Sequence, residues 1–241
     1  MNVASYVSIS RQTALSRQID IVANNMANLS TTGFKGESVV FRSMLKNTPD
    51  GGAVNFVIDG GVWRDNKQGS ITPTSNPLDV AIDGDGFLTV DTNAGTRYTR
   101  NGHLQLAPDR KIVTANGDQV VDAKGNPITI PENASAIEIS ATGRVSTPEG
   151  GDAGILGLAS FGNSASLVPS ENGLFVATEP AAAEASTAKL VQGAVEESNV
   201  QPIVEMTKLM QLQRSYEIAK QMTDGEGDRL KSVIDRLGKI T

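Results

Sequence analysis

The side chains able to do chemistry are few and badly placed to cooperate. The single histidine, His103, follows Asn101-Gly102, and any Ser-His-Asp arrangement would have to run through it. An imidazole beside a turn pair reads more simply as a surface polar group. There is no cysteine, which removes thiolate nucleophiles, disulfides and thiol-ligated metals together. Asp83-Gly84-Asp85-Gly86 opens like a calcium loop, but Phe87 stands at the next ligand position and no glutamate closes the loop at the required distance. A tight turn is the simpler reading. The other carboxylates of the middle are scattered, and nothing pairs two of them for hydrolysis. No Walker loop or dinucleotide fingerprint occurs. The sequence therefore predicts no catalytic, cofactor-binding or metal site.

One polar cluster does stand out: Asn24, Asn25 and Asn28 around Met26. Two readings are open. The amides form a solvated face near a helix end, or they cross-link packed helices, since a buried amide is tolerated only when hydrogen-bonded.

The element that carries these amides is amphipathic. Leu15, Ile19, Val22, Met26 and Leu29 are spaced four, three, four, three, with Ile9 and Ile21 off that seam. Residues 3–29 are predicted to be helical and to end within Asn28–Gly33, where Ser and Thr compete for backbone bonds and Gly33 tolerates a left-handed turn. A second stripe runs Leu209, Leu212, Tyr216, Ala219, Thr223, Glu226, Leu230, Val233, Leu237. Its helix is expected to begin near Pro202, with Glu205 at the positive end of the dipole. Gly225 and Gly227 predict a kink or short break.

A 3.5-residue repeat keeps one seam facing a partner helix. These ends are thus expected to pair, with each other or with other chains. One narrow seam supports a lone helical hairpin poorly. Disorder of the ends in a free monomer, and ordering among neighbouring subunits, is the expectation. Contacts of that heterologous kind build open filaments.

Between the ends the pattern changes. Residues 36–75 show no sustained period and read as an extended connector with short strands. Residues 76–190 read as a β domain: Leu78–Ile82 and Phe87–Val90 alternate, and turn pairs recur at Asn101-Gly102, Asn116-Gly117, Gly125-Asn126, Thr142-Gly143 and Asn172-Gly173. Their short spacing favours antiparallel strands over βαβ units. Residues 179–190 form a small-residue linker. The predicted fold is α+β: a discontinuous coiled-coil helical unit (1–35 and 191–241) with an inserted, mainly antiparallel β domain.

Composition agrees: 24 glycines and 4% aromatic residues suit a turn-rich β region. The net charge of −6 divides as +2 over residues 1–45, −7 over 46–195 and −1 over 196–241. No part is basic enough to predict a nucleic-acid partner. No apolar run approaches the length of a bilayer span, so no membrane insertion is expected, and the start lacks the pattern of a cleaved signal.

Four segments then carry a family resemblance. Ala23-Asn24-Asn25-Met26-Ala27-Asn28-Leu29-Ser30-Thr31-Thr32-Gly33-Phe34-Lys35 resembles the N-terminal signature of bacterial flagellar rod and hook proteins. Asp79–Phe87 resembles their central β motif, and Tyr98-Thr99-Arg100-Asn101-Gly102 the hairpin that follows it. Gln192–Val200, continuing through Glu205-Met206 and Gln213–Glu217, resembles their C-terminal signature. Length and the single modest β domain are most similar to the proximal-rod type.

The resemblance implies a structural subunit of the basal-body drive shaft. It would be exported unfolded by the flagellar type III apparatus without a cleaved signal, and assembled in the periplasm. Its partners would be copies of itself and paralogous rod subunits, with terminal helices inside and the β domain outside. A distal-rod or hook-like subunit, a secreted cell-wall hydrolase and a binding module whose ends close on each other are the alternatives.

Overall fold

A computed structural model describes residues 3–47, 53–149, 151–161, 167–179 and 188–237. Within these, the side chains of 3–6, 45–47, 53–56, 230, 233–234 and 236–237 fall outside the description. The predicted linker 179–190 lies mostly outside the described residues. The chain is α+β and divides into two units. One comprises residues up to Ala27, Gly36–Asp65 and the residues from Val200 on; the other comprises Asn28–Lys35 and Asn66–Asn199.

The first unit holds α1 (Val3–Ala27), β1 (Glu37–Asn47), β2 (Ala53–Arg64) and α2 (Pro202–Leu237). α1 contains neither Gly nor Pro and ends where the amide- and hydroxyl-rich run begins. β1 and β2 pair antiparallel from Glu37↔Arg64 to Asn47↔Ala53. This ribbon lies where the sequence suggests only a connector with short strands. Its pattern was hidden because apolar residues occur on both faces and several stay exposed: Phe41 and Val57 line a cleft with α1, Met44 and Ile58 lie on the other face, and Val57, Met44 and Ile58 are all exposed. Gly60-Gly61, which reads as a break, sits in β2 opposite Val40, where the register shifts as in a β-bulge.

α1 packs against both α2 and the ribbon. Gln12 Nε2 donates to the Ala219 carbonyl (3.1 Å) and to Thr223 Oγ1 (2.8 Å). Arg17 Nε lies 3.3 Å from Asp59 Oδ2, and Ser10 Oγ donates to the Val57 carbonyl at 3.1 Å. α2 starts at Pro202 as expected but does not break at Gly225 or Gly227; it is continuous to Leu237. The local cost of two glycines is small beside the cooperativity of a long helix.

The second unit is built on an eight-stranded antiparallel sheet. Its central hairpin joins Phe87–Thr92 to Gly95–Thr99. Ile82, Leu88, Leu104, Ile112 and Ile130 are among the largest fully buried side chains. A smaller aromatic cluster sets Phe87 edge-on to Phe161 and Phe175, with centroids 5.9 and 5.6 Å away. Turns form at Asn116-Gly117, Gly125-Asn126, Thr142-Gly143 and Asn172-Gly173, each between paired segments. Asn101-Gly102 is different. The strands on either side of it pair elsewhere. Its glycine is required by proximity: a Cβ there would sit 1.6 Å from the Val80 carbonyl oxygen.

Two outcomes follow. Nothing lies within 4 Å of a Cβ added at Gly225 or Gly227, so Gly225→Ala and Gly227→Ala should each stabilise α2 by roughly 1 kcal/mol, read as a raised helical melting transition. The Asn126 backbone N–H, helped by the Asn126 side chain and Lys124, holds the exposed Asp122 carboxyl below its ordinary pKa. That turn's stabilisation is complete above the ordinary carboxylate range and fades as pH falls through the lowered value. An NMR titration should show the Asp122 carboxyl and the Asn126 amide shifting together, at a pH below that for free aspartate.

Candidate functional site

Each unit carries one constellation of interest. In the first unit it begins with the helix seam. Between Met206 and Arg229 the α2 side chains that are not exposed are Leu209, Leu212, Ser215, Tyr216, Ala219, Thr223 and Glu226. Six of these seven are positions of the sequence stripe, so the 3.5 period does mark the covered face. On α1, Leu15, Ile19 and Met26 are half-buried and Val22 is buried. Ile21, off the seam, is buried too, because the ribbon covers that side. The seam is not sealed: a groove of about 480 Å³ opens between the elements, lined by Leu15, Ile21, Val22, Leu212, Glu37 and Glu205 among others. The side chains of Leu230, Val233 and Leu237 lie outside the described set.

Asn25 ties this unit together. Its side-chain Nδ2 donates to the Glu37 carbonyl (2.8 Å) and its Oδ1 accepts from the Glu37 N–H (2.9 Å), as a neighbouring strand would. Nδ2 also reaches Glu205 Oε2 at 3.2 Å. Glu205 is buried and takes Lys208 Nζ at 2.5 Å on its other oxygen, while Arg64 Nη2 holds the Glu37 carboxylate at 2.6 Å. One amide therefore joins α1, β1 and α2. The three asparagines are not equivalent: Asn24 is exposed, and Asn28, half-buried, accepts from Thr31 Oγ1 at 3.1 Å within the second unit. Leu29, next to it, is half-buried. Within this chain it is Asn25, of the three, that links α1 to both β1 and α2. Glu205 has a larger part than the dipole suggests, since its acceptor role depends on a partner 180 residues away.

In the second unit the constellation is a buried ionic centre. Glu196 is fully buried. Lys35 Nζ donates to Glu196 Oε1 and, at 2.7 Å, to the Lys67 carbonyl. Arg100 Nη1 lies 3.1 Å from Glu196 Oε2, and its Nη2 donates to the Gly84 carbonyl at 2.8 Å. The guanidinium sits 5.1 Å from the centre of the Phe87 ring, a cation–π contact. The Gly69 N–H completes the carboxylate at 2.9 Å. Gly33, with φ of +70°, donates its N–H to the Glu196 carbonyl, and a Cβ on it would lie 2.6 Å from the Arg100 carbonyl carbon.

Lys35, Arg100 and Glu196 were visible only as members of signature segments. Nothing in local pattern connects residues 35, 100 and 196. The Asp83-Gly84-Asp85-Gly86 turn acts through its backbone, since the Gly84 carbonyl is an Arg100 acceptor. His103 Nδ1 lies 2.7 Å from Asp79 Oδ1, whose carboxylate also accepts from Thr74 (2.6 Å) and Asn76 (2.9 Å). The imidazole thus braces a loop.

Three family models match in chain order: a flagella basal body rod protein model over residues 6–35, a flagellar hook protein FlgE/F/G D1 domain over 81–147, and a flagellar basal body rod FlgEFG protein C-terminal model over 191–236. The chain is 40% identical to the flagellar basal-body rod protein FlgF of Caulobacter vibrioides, with both chains covered in full. It is 32% identical to FlgF of Rhizobium meliloti over 99% of each chain. It is 33% identical to the rod protein FlgG of Caulobacter vibrioides, over 83% of this chain and 86% of that one. Lys35 ends the first matched segment, Arg100 lies in the second and Glu196 in the third, so the ionic centre is where the three meet. The chain belongs to the flagellar basal-body rod protein family, whose members are structural and not enzymes.

Proposed function

We propose that the protein is a structural subunit of the proximal rod, packing through its terminal helices to form part of the torque-transmitting shaft. In this reading it is exported unfolded by the flagellar type III apparatus without a cleaved signal, and assembles in the periplasm with copies of itself and paralogous rod subunits. The full-length likeness to FlgF proteins supports the family part of this reading.

The observation that carries the packing part is that α2 is apolar on two faces. One face is the seam that meets α1. The other presents Ile203, Met206 and Met210 at three- and four-residue steps and, one four-residue step past Arg214, Ile218 and Met222, from 47% exposed at Met210 to 81% at Ile203. A helix of a self-sufficient domain keeps one apolar stripe and one polar face. A second stripe left in water is what a helix nested among other helices needs. The predicted interface residues, Leu15, Ile19, Val22, Asn24, Asn25, Met26, Asn28, Leu29, Leu209, Leu212, Tyr216, Leu230, Val233 and Leu237, keep this role as part of the proposal. In the assembled rod they form a coiled-coil seam shared between neighbours.

Ile19→Asp and Leu212→Asp each put a charge into the seam. Both variants should block incorporation and motility, while the NMR spectrum of the second unit is unchanged; normal swimming by either would remove the proposal. Limited proteolysis of the dilute monomer should trim α1 and α2 first. The fragment left should keep residues 28–35 and run to about Asn199, since Lys35 and Glu196 are buried within that unit. Equal resistance of helices and β unit would show that the helical ends are self-sufficient.

A further inference from the structure

Glu196 satisfies groups that all precede it by long stretches of chain: Lys35 by 161 residues, Gly69 by 127 and Arg100 by 96. The side chains of Lys35 and Arg100 are 1% and 3% exposed. Burying two cations without an anion is prohibitive. Among the described residues of this unit the other buried acid, Asp79, is taken up by Thr74, Asn76 and His103. Asp85, 4.0 Å from Arg100, is fully exposed. The backbone repeats the pattern. Ala194–Glu196 pairs with Ile71–Pro73, Glu197 N donates to the Ser70 carbonyl at 2.8 Å, and the Glu196 carbonyl accepts from Gly33 N.

We propose that Glu196 is a keystone: the β unit stays open until the polypeptide has been delivered as far as residue 196, and closes when this carboxylate reaches Lys35 and Arg100. Before that, the two cations keep the site hydrated, Gly33 N lacks its acceptor and Ile71–Pro73 lacks its strand partner. In a chain threaded N-terminus first, closure is thereby postponed until most of the chain is through. That consequence rests on the export reading above; the keystone itself does not.

Pulse-labelled hydrogen exchange during refolding of the purified full-length chain tests this. In the wild type, amides of Val80–Asp83 and Phe87–Thr92 should gain protection in the same kinetic phase as those of Ala194–Glu196. Glu196→Gln should lower native-state protection throughout the unit by on the order of 10²- to 10³-fold, since it removes the buried carboxylate that both cations share. The uncharged variant Lys35→Met/Arg100→Met/Glu196→Gln should regain protection and close its core strands before Ala194–Glu196 docks. The proposal is overturned if the wild-type core is protected in an earlier phase than Ala194–Glu196. It is equally overturned if Glu196→Gln is protected like the wild type, or if the uncharged variant stays as open as the single one. None of these readouts involves motility, so failure here leaves the rod-subunit reading standing.

Discussion

The β unit is closed around a single carboxylate, Glu196, that is fully removed from water. Desolvating a glutamate and two cations is expensive, and such groups are tolerated only when geometry satisfies them. Here the satisfaction is dense. Glu196 has a lysine, an arginine and a backbone N–H, while Arg100 has a glycine carbonyl and an aromatic face besides. An apolar trio of similar volume would serve stability as well or better. The ionic version is costly to leave half-made, because removing one partner strands buried charge on the others.

The helical unit uses the opposite strategy. Its helix seam is lined by aliphatic side chains, Leu15, Ile19, Val22, Leu209 and Leu212 among them, whose contacts carry little direction. Asn25 supplies the direction that the aliphatic seam lacks. It holds strand β1 by two hydrogen bonds and α2 by a third, and so adds to the Ser10–Val57 and Arg17–Asp59 contacts with the ribbon and to the Gln12 bonds with α2. Like the polar residue placed at one core position of a coiled coil, it trades some burial energy for uniqueness of arrangement.

What the sequence reveals follows from how local each signal is. Helix extents, the seam of α2 and four of the hairpin turns come from periodicity or from turn residues a few positions apart, and these were legible. The β1–β2 ribbon was not, because alternation marks a strand only when one face is buried and the other is polar. Asn101-Gly102 looked like a hairpin turn because the dipeptide fits one; its real constraint, the Val80 backbone, is remote in sequence. The ionic centre is the extreme case. Three charged residues far apart carry no pairing information of their own, so only their membership in signature segments hinted at a role. The continuity of α2 through two glycines shows the converse, a true local cost outweighed by the helix on either side.

The division of the chain has a mechanical corollary. The backbone passes from one unit to the other four times, after Ala27, Lys35, Asp65 and Asn199. Inside the β unit the ends of three of those passages are stitched to one another: Asn199 bonds to the Phe34 and Lys67 carbonyls, and Lys35 to that same Lys67 oxygen. In the helical unit the Asp65 N–H bonds to the Gly36 carbonyl. The two bodies are therefore joined covalently at four places along the chain, and separating them would mean cutting four backbone connections where a single linker would offer one.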